Sequence, residues 1–168
     1  MNYFKISIGI FITLAASRFI PHPPNFTSLL ALTFYVPTLL GKRFIPALIL
    51  SFIITDYFIG MHSLTFFTWG SVLIIGLISV YFKANISKRI VGSLSGAVIF
   101  YLISNFGVWF SGSLYPKTLN GLLICYTAGL PFFKGTILGF AFYSTLLFGI
   151  FESLKYKKVI DYPINTHE

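Results

Sequence analysis

Long apolar runs follow one another along this chain, with only short polar breaks between them. A helix needs about 20 apolar residues to cross the hydrocarbon core of a bilayer, with a range of roughly 17 to 25. Only 10% of the residues are charged and the mean hydropathy is +0.84, whereas soluble domains carry roughly 25% charged residues. A soluble core cannot hide so much apolar surface, so the lipid bilayer is the expected solvent. The predicted fold class is all-α: a polytopic membrane helix bundle with six transmembrane helices.

The predicted spans form one transmembrane domain over residues 1–154, and they cover residues 3–19, 28–41, 44–60, 64–82, 90–112 and 136–154. The segment 122–133 is also apolar, but it is short, and Gly129 and Pro131 interrupt it. We therefore expect a re-entrant or lid-like segment there. Residues 155–168 are expected to form a cytoplasmic tail.

The basic residues are distributed unevenly between the two sides of this bundle. With the N-terminus inside, three of the 12 fall on the outer side, namely Arg18, Lys117 and Lys134. The other nine fall on the inner side, as the positive-inside rule requires. The sequence thus predicts a multi-pass protein of the inner (plasma) membrane with both termini in the cytoplasm. Because topology accounts for the net charge of +8, no nucleic-acid partner is expected.

Polar and aromatic side chains converge at the outer ends of the predicted spans. Ionisable groups within membrane helices are rare and usually face a partner or a cavity. Several such groups at one depth, on different helices, favour an outward-facing pocket for a small molecule. The predicted substrate-binding residues are Arg18, His22, Asn25, Asp56, His62, Trp69, Asn105 and Trp109.

Each of these residue types suggests a role. An arginine can bind an anionic group in a bidentate manner, and Asp56 and Asn105 can make directional hydrogen bonds. Trp69 and Trp109 can stack on a ring. The segment 21–27 contains three prolines, which lack an N–H and fix φ, so we expect a stiff bend that covers the pocket.

The same residues also fit a purely structural role. Arg18 and Asp56 can form an ion pair that fixes the first span against the third, and tryptophans concentrate at membrane interfaces whatever the function. The G-x-x-x-G pairs Gly92/Gly96 and Gly135/Gly139 allow close packing. Under this alternative the chain is a structural or accessory subunit of a larger membrane complex without a ligand.

Signals for catalysis are absent from the sequence. The chain has no G-x-S-x-G, H-E-x-x-H or Walker A motif, and its single cysteine excludes a multi-cysteine metal site. We predict no enzymatic activity, no cofactor and no metal. A third hypothesis, a membrane enzyme or a metal protein with His22, His62 and Asp56 as ligands, stays open, although the three residues lie on separate segments.

Three motifs carry a family resemblance: Arg18-Phe-Ile-Pro-His-Pro-Pro-Asn-Phe-Thr27, Thr55-Asp56-Tyr-Phe-Ile-Gly60-Met-His62 and Ser104-Asn105-Phe-Gly107-Val-Trp109. With them the chain resembles a family of small uncharacterised bacterial integral membrane proteins. That family in turn is similar in architecture to the substrate-binding S components of energy-coupling factor (ECF) vitamin transporters.

This second resemblance implies six helices, an outward-facing pocket and a loop after the first helix that covers the ligand. It also implies partners, namely a transmembrane coupling subunit and two ATPases, and a vitamin or metal ion as ligand. The alanine-spaced contact motif common on the first helix of S components is not evident here. Gly9, Thr13 and Ser17 stand at comparable spacing instead.

Overall fold

The structure is a computed structural model that describes residues 3–82 and 85–156. The regular secondary structure in these ranges is helical. The α-helices in these ranges are α1 Tyr3–Phe19, α2 Leu29–Leu40, α3 Ile45–Ile59, α4 Thr65–Ser79, α5 Ile86–Ser111 and α6 Leu119–Tyr156. Short 3-10 helices, Lys42–Phe44 and Val80–Phe82, precede α3 and follow α4. The described part of the chain is therefore all-α, as predicted.

Three helical segments are long and apolar enough to cross a membrane, and they are Thr65–Phe82, Ser87–Ser111 and Leu119–Ile150. The apolar helix Leu29–Leu40 is shorter. These lengths and compositions are those of a membrane protein. That all six helices cross the bilayer remains a prediction.

Helix α2 lies at the centre of the bundle. Ten of its twelve residues are buried, and it contacts each of the other five helices. Its sequence is apolar on every side, which is typical of a helix surrounded by protein. Helix α1 packs chiefly on α3, while α5 packs between α4 and α6.

Helices α1 to α4 lie within one residue of the first four predicted segments at each end, if Val80–Phe82 is counted with α4. Helix α5 begins four residues earlier than predicted. Its N-cap is Asn85, which has an extended backbone. The side-chain oxygen of Asn85 accepts a hydrogen bond from the backbone N–H of Lys88, at an N···O distance of 2.8 Å. Such a cap satisfies a backbone donor that a helix start otherwise leaves unpaired.

The separate lid-like segment predicted at residues 122–133 is not present, because these residues belong to the continuous helix α6. Proline removes one helical hydrogen bond, and α6 continues past Pro131 with apolar turns on both sides. The 38 residues of α6 measure about 57 Å at 1.5 Å per residue, which exceeds a hydrocarbon core of about 30 Å. Of the predicted tail, residues 157–168 lie outside the described residues.

The loop between α1 and α2 rests on two glycines of α6. A Cβ at Gly139 would lie 2.9 Å from the Cα of Phe26 and 3.1 Å from the backbone nitrogen of Thr27. A Cβ at Gly135 would collide with the carbonyl oxygen of Pro24. This G-x-x-x-G pair therefore admits the loop backbone to the surface of α6.

We expect Gly139→Ala to destabilise the protein by about 1–3 kcal/mol, because the added methyl overpacks the contact with the loop. The matched control is Gly149→Ala on the same helix, where a Cβ meets nothing within 4 Å. The control should be neutral, or stabilising by about 0.5–1 kcal/mol, through the lower backbone entropy of alanine. Thermal unfolding of the two variants in the same detergent measures the difference, and equal midpoints would contradict the packing described.

Candidate functional site

A buried ion pair joins the C-terminal ends of α1 and α3. Arg18 Nη2 lies 2.5 Å from Asp56 Oδ1, and Arg18 Nη1 donates to Thr55 Oγ1, also at 2.5 Å. The second carboxylate oxygen, Asp56 Oδ2, accepts from Trp69 Nε1 at 2.7 Å. Both oxygens of the carboxylate are thus hydrogen-bonded, and α4 joins the network through Trp69.

The two charges of this pair differ in exposure. The side chain of Asp56 is 1% exposed and that of Arg18 is 14% exposed. The guanidinium carbon also lies 4.8 Å from the centre of the Phe52 ring, within the range of a cation–π contact. A guanidinium has five N–H donors in a fixed plane, and the two bonds to Thr55 and Asp56 use two of them. Asp56 therefore holds Arg18 in place, while Arg18 has donors left for another acceptor.

Arg18 lies in the wall of a cavity of about 270 Å³, which we name the first cavity. All six helices contribute to it at one end of the bundle. Its polar wall consists of Arg18, His22, Asn25, Thr27, Asp56, His62, Thr68 and Thr136. Its apolar wall consists of Leu29, Leu30, Phe52, Ile59 and Phe100.

A second cavity of about 340 Å³ adjoins the first. Four residues line both cavities: Asn25, His62, Thr68 and Phe100. The second extends between α5 and the N-terminal part of α6, where Asn105, Tyr115 and Cys125 line it. Ligand pockets commonly measure about 300–1,000 Å³, so the adjoining cavities have the size of a site for a small molecule.

The loop between α1 and α2, which contributes His22, Asn25 and Thr27 to the first cavity, contains a tight turn. Phe26 N–H donates to the carbonyl of Pro23 at 3.0 Å, and Asn25 has a φ of 59°. Proline at the second position and positive φ at the third are the pattern of a type II turn, in which asparagine is one of the few tolerated residues. The sequence Pro-Pro-Asn-Phe thus fixes Asn25 where it faces both cavities.

The two histidines at the cavities make different hydrogen bonds. His22 Nδ1 lies 2.7 Å from the carbonyl of Pro23 and donates to it, which in the neutral ring leaves Nε2 as an acceptor. His62 Nδ1 accepts the N–H of Leu64 at 3.2 Å, so Nε2 of the neutral ring is a donor. The site can therefore present one imidazole acceptor and one imidazole donor.

Asn105 lines the second cavity and not the first. Its side-chain amide donates to the carbonyl of Tyr101 at 2.8 Å. The carboxamide packs directly on Gly129, where any Cβ would collide with it. The absence of a side chain at Gly129, which resembles a helix break in the sequence, thus leaves room for the Asn105 carboxamide against α6.

The two tryptophans line neither cavity, so the structure does not place them for the predicted stacking on a ligand. Trp69 donates its indole N–H to Asp56. Trp109 donates to the carbonyl of Pro116 at 2.8 Å, and the ammonium of Lys117 lies 5.5 Å from the centre of its ring. Lys117 also donates to backbone carbonyls at the end of α5, including that of Gly112. Trp109 thus holds the loop between α5 and α6.

The other six predicted residues line one or both cavities. The structure adds wall residues that the sequence prediction did not include, chiefly Phe52, Phe100, Thr27, Thr68 and Thr136. The threonines follow the same pattern of polar residues at one depth, whereas nothing distinguishes Phe52 or Phe100 among the 20 phenylalanines. Within residues 3–82 and 85–156, no group of three or more His, Cys, Asp or Glu side chains is arranged to hold a metal ion.

An all-α bundle with membrane-length helices and paired cavities beside a buried ion pair defines the structural class. The chain belongs to the family of unknown function DUF6580, which matches residues 2–163. The prediction of an uncharacterised family is thereby confirmed. Comparisons with curated proteins and with solved structures find no match.

We expect Arg18→Ala to destabilise the protein by about 3–5 kcal/mol, because it leaves the Asp56 carboxylate buried and unpaired. The double variant Arg18→Met/Asp56→Asn should recover most of this loss, since it removes both charges and keeps an acceptor for Trp69. Chemical unfolding in detergent micelles measures each step.

The control for this series is Arg43→Ala. Arg43 is exposed at the opposite end of α3, over the ring of Phe44 at 5.1 Å, and losing such a contact should cost less than about 1 kcal/mol. If Arg18→Ala proved as mild as Arg43→Ala, the ion pair would not be the stabilising contact described.

Proposed function

We propose that this protein is a membrane-embedded substrate-binding subunit for the uptake of a small nutrient that carries an anionic group. One observation supports this assignment above the others: a guanidinium is fixed in the wall of a cavity with hydrogen-bond donors left over. Bidentate binding of a carboxylate or phosphate is the interaction to which such a guanidinium is best suited.

In this proposal, different wall residues have different roles in binding the ligand. Asp56 has both oxygens occupied within the protein, so in this proposal it positions Arg18 and does not contact the ligand. Hydroxyls of Thr27, Thr68 and Thr136, together with Asn25 and the histidines, give directional bonds to polar groups. Phe52 and Phe100 pack on the ligand's apolar part. A few polar groups set in an apolar wall are typical of small-molecule sites.

The proposed topology has six spans, both termini in the cytoplasm and the cavities on the outer side of the plasma membrane. Basic residues at the ends of the described helices support it, because Lys42, Arg43, Lys88 and Arg89 lie at the end of the bundle opposite Arg18. The loop 21–27 then acts as the outer cover of the site.

Energy for uptake would come from other chains, since the sequence has no Walker A motif. The resemblance to ECF S components motivates a coupling subunit and ATPases as partners. No catalysed reaction, cofactor or metal forms part of the proposal.

A structural or accessory role is the alternative, and one observation favours it. Both oxygens of Asp56 are satisfied by protein groups, so the ion pair is complete without a ligand. Under this alternative, the stability changes of the Arg18 variants would occur with no effect on any bound molecule.

Equilibrium dialysis against a metabolite extract of the source organism, followed by mass spectrometry, separates the two functions. We expect the wild-type protein and Arg43→Ala to enrich the same anionic compound. The double variant Arg18→Met/Asp56→Asn should lose about tenfold or more in enrichment, because a charge-assisted hydrogen bond is removed. Equal enrichment by wild type and the double variant, or none by either, would contradict the binding function.

A further inference from the structure

A third cavity, of about 360 Å³, lies between α2, α5 and α6 at the end of the bundle opposite Arg18. It is separate from the proposed substrate site and shares no lining residue with it. The residues that matter for its chemistry are Tyr35, Arg89, Leu94, Ala141, Ser144 and Phe148.

The third cavity opens sideways, to the surface that the helices present to their surroundings. Leu94, Ala141 and Phe148 line it and are themselves exposed. In a bundle whose α5 and α6 have membrane-spanning length, an apolar crevice on this surface faces lipid. Its wall can therefore receive a hydrocarbon chain.

A buried hydroxyl inside this crevice is unsatisfied. Ser144 is 8% exposed, and within residues 3–82 and 85–156 its Oγ has no hydrogen-bond partner of acceptable geometry, although the Tyr35 hydroxyl lies close to it. An unpaired buried polar group costs about 1–3 kcal/mol. The Ser144 hydroxyl is thus available to a molecule that brings polar atoms into an otherwise apolar space, and the Tyr35 hydroxyl lies beside it.

Positive charge lies at the mouth of the crevice. Arg89, in the first turn of α5, lines the cavity together with Tyr35. Lys88 is adjacent in sequence, and Lys42 and Arg43 lie at the same end of the bundle. From Arg89 to Leu94 the helix rises about 7.5 Å, which is the direction from headgroup level into the hydrocarbon layer.

We propose that the third cavity binds one anionic phospholipid of the leaflet on the Lys42 and Lys88 side. Arg89 binds the phosphate, Ser144 and Tyr35 bond to oxygens of the glycerol ester region, and an acyl chain lies along Leu94 and Phe148. Such a lipid matches three properties of the cavity at once: its positive charge, its lateral apolar wall and its unsatisfied buried hydroxyl. The inference does not depend on the proposed substrate site.

Native mass spectrometry of the full chain in mixed micelles tests it, with phosphatidylglycerol and zwitterionic phosphatidylcholine as the probes. We expect the wild type to retain one phosphatidylglycerol about tenfold more than phosphatidylcholine, as for a charged hydrogen bond. Arg89→Gln should abolish this preference, and Arg89→Lys should restore part of it. Lys88→Gln, which removes an exposed neighbouring charge that does not line the cavity, should reduce it far less than Arg89→Gln.

A second variant keeps the proposal testable if the Arg89 variants fail to fold. Ala141→Trp fills the crevice from its exposed side and should lower lipid retention while the thermal midpoint stays near that of the wild type. The proposal is overturned if the wild type shows no preference, if Lys88→Gln loses as much as Arg89→Gln, or if glycerol phosphate displaces the lipid at equal concentration. That last result would indicate a site for a soluble anion.

Discussion

A carboxylate buried to 1% exposure requires a partner for its charge and hydrogen bonds for both of its oxygens. Asp56 obtains these from Arg18 on α1 and Trp69 on α4, so one side chain fixes three helices at the same end of the bundle. The geometry of the site depends on this requirement. The guanidinium that satisfies Asp56 also faces the first cavity, and contacts within the protein set its orientation.

Glycines of α6 leave space for close contacts around this site. Gly135 and Gly139 let the loop backbone lie on α6, and Gly129 lets Asn105 reach the same helix. These contacts, with the type II turn at Asn25, bring loop residues over the cavity that the helix ends surround. Preorganised walls lower the entropy lost on binding a small molecule, which is consistent with a site for a polar solute.

The sequence predicts some elements well for a physical reason. Apolar runs bounded by proline, glycine and charge define α1 to α4 within one residue, because those boundaries are local. The beginning of α5 depends on the Asn85 cap, a local contact to Lys88 that the boundary of the apolar run does not mark. Helix α6 continues through Gly129 and Pro131, and the contact of Gly129 with Asn105 is tertiary, so spacing along the chain does not contain it.

The residues of the candidate site are likewise predicted only in part. Polar residues at one depth indicate that Arg18, His22, Asn25, Asp56, His62 and Asn105 gather at one end, as the structure has them. The sequence also offers the Arg18–Asp56 pair as a possibility. It does not give side-chain direction, so Trp69 and Trp109 are expected at the ligand, whereas their indoles bond to Asp56 and Pro116.

A crystal structure of the protein purified from its own source in mild detergent tests the central claim most directly. The account predicts density for a small molecule in the first cavity, with an oxygen about 2.7–2.9 Å from a nitrogen of Arg18 and no contact to the Asp56 oxygens. Density for water alone in both cavities, with every Arg18 donor bonded to protein, would contradict it. The ion pair would then serve only to hold α1 against α3.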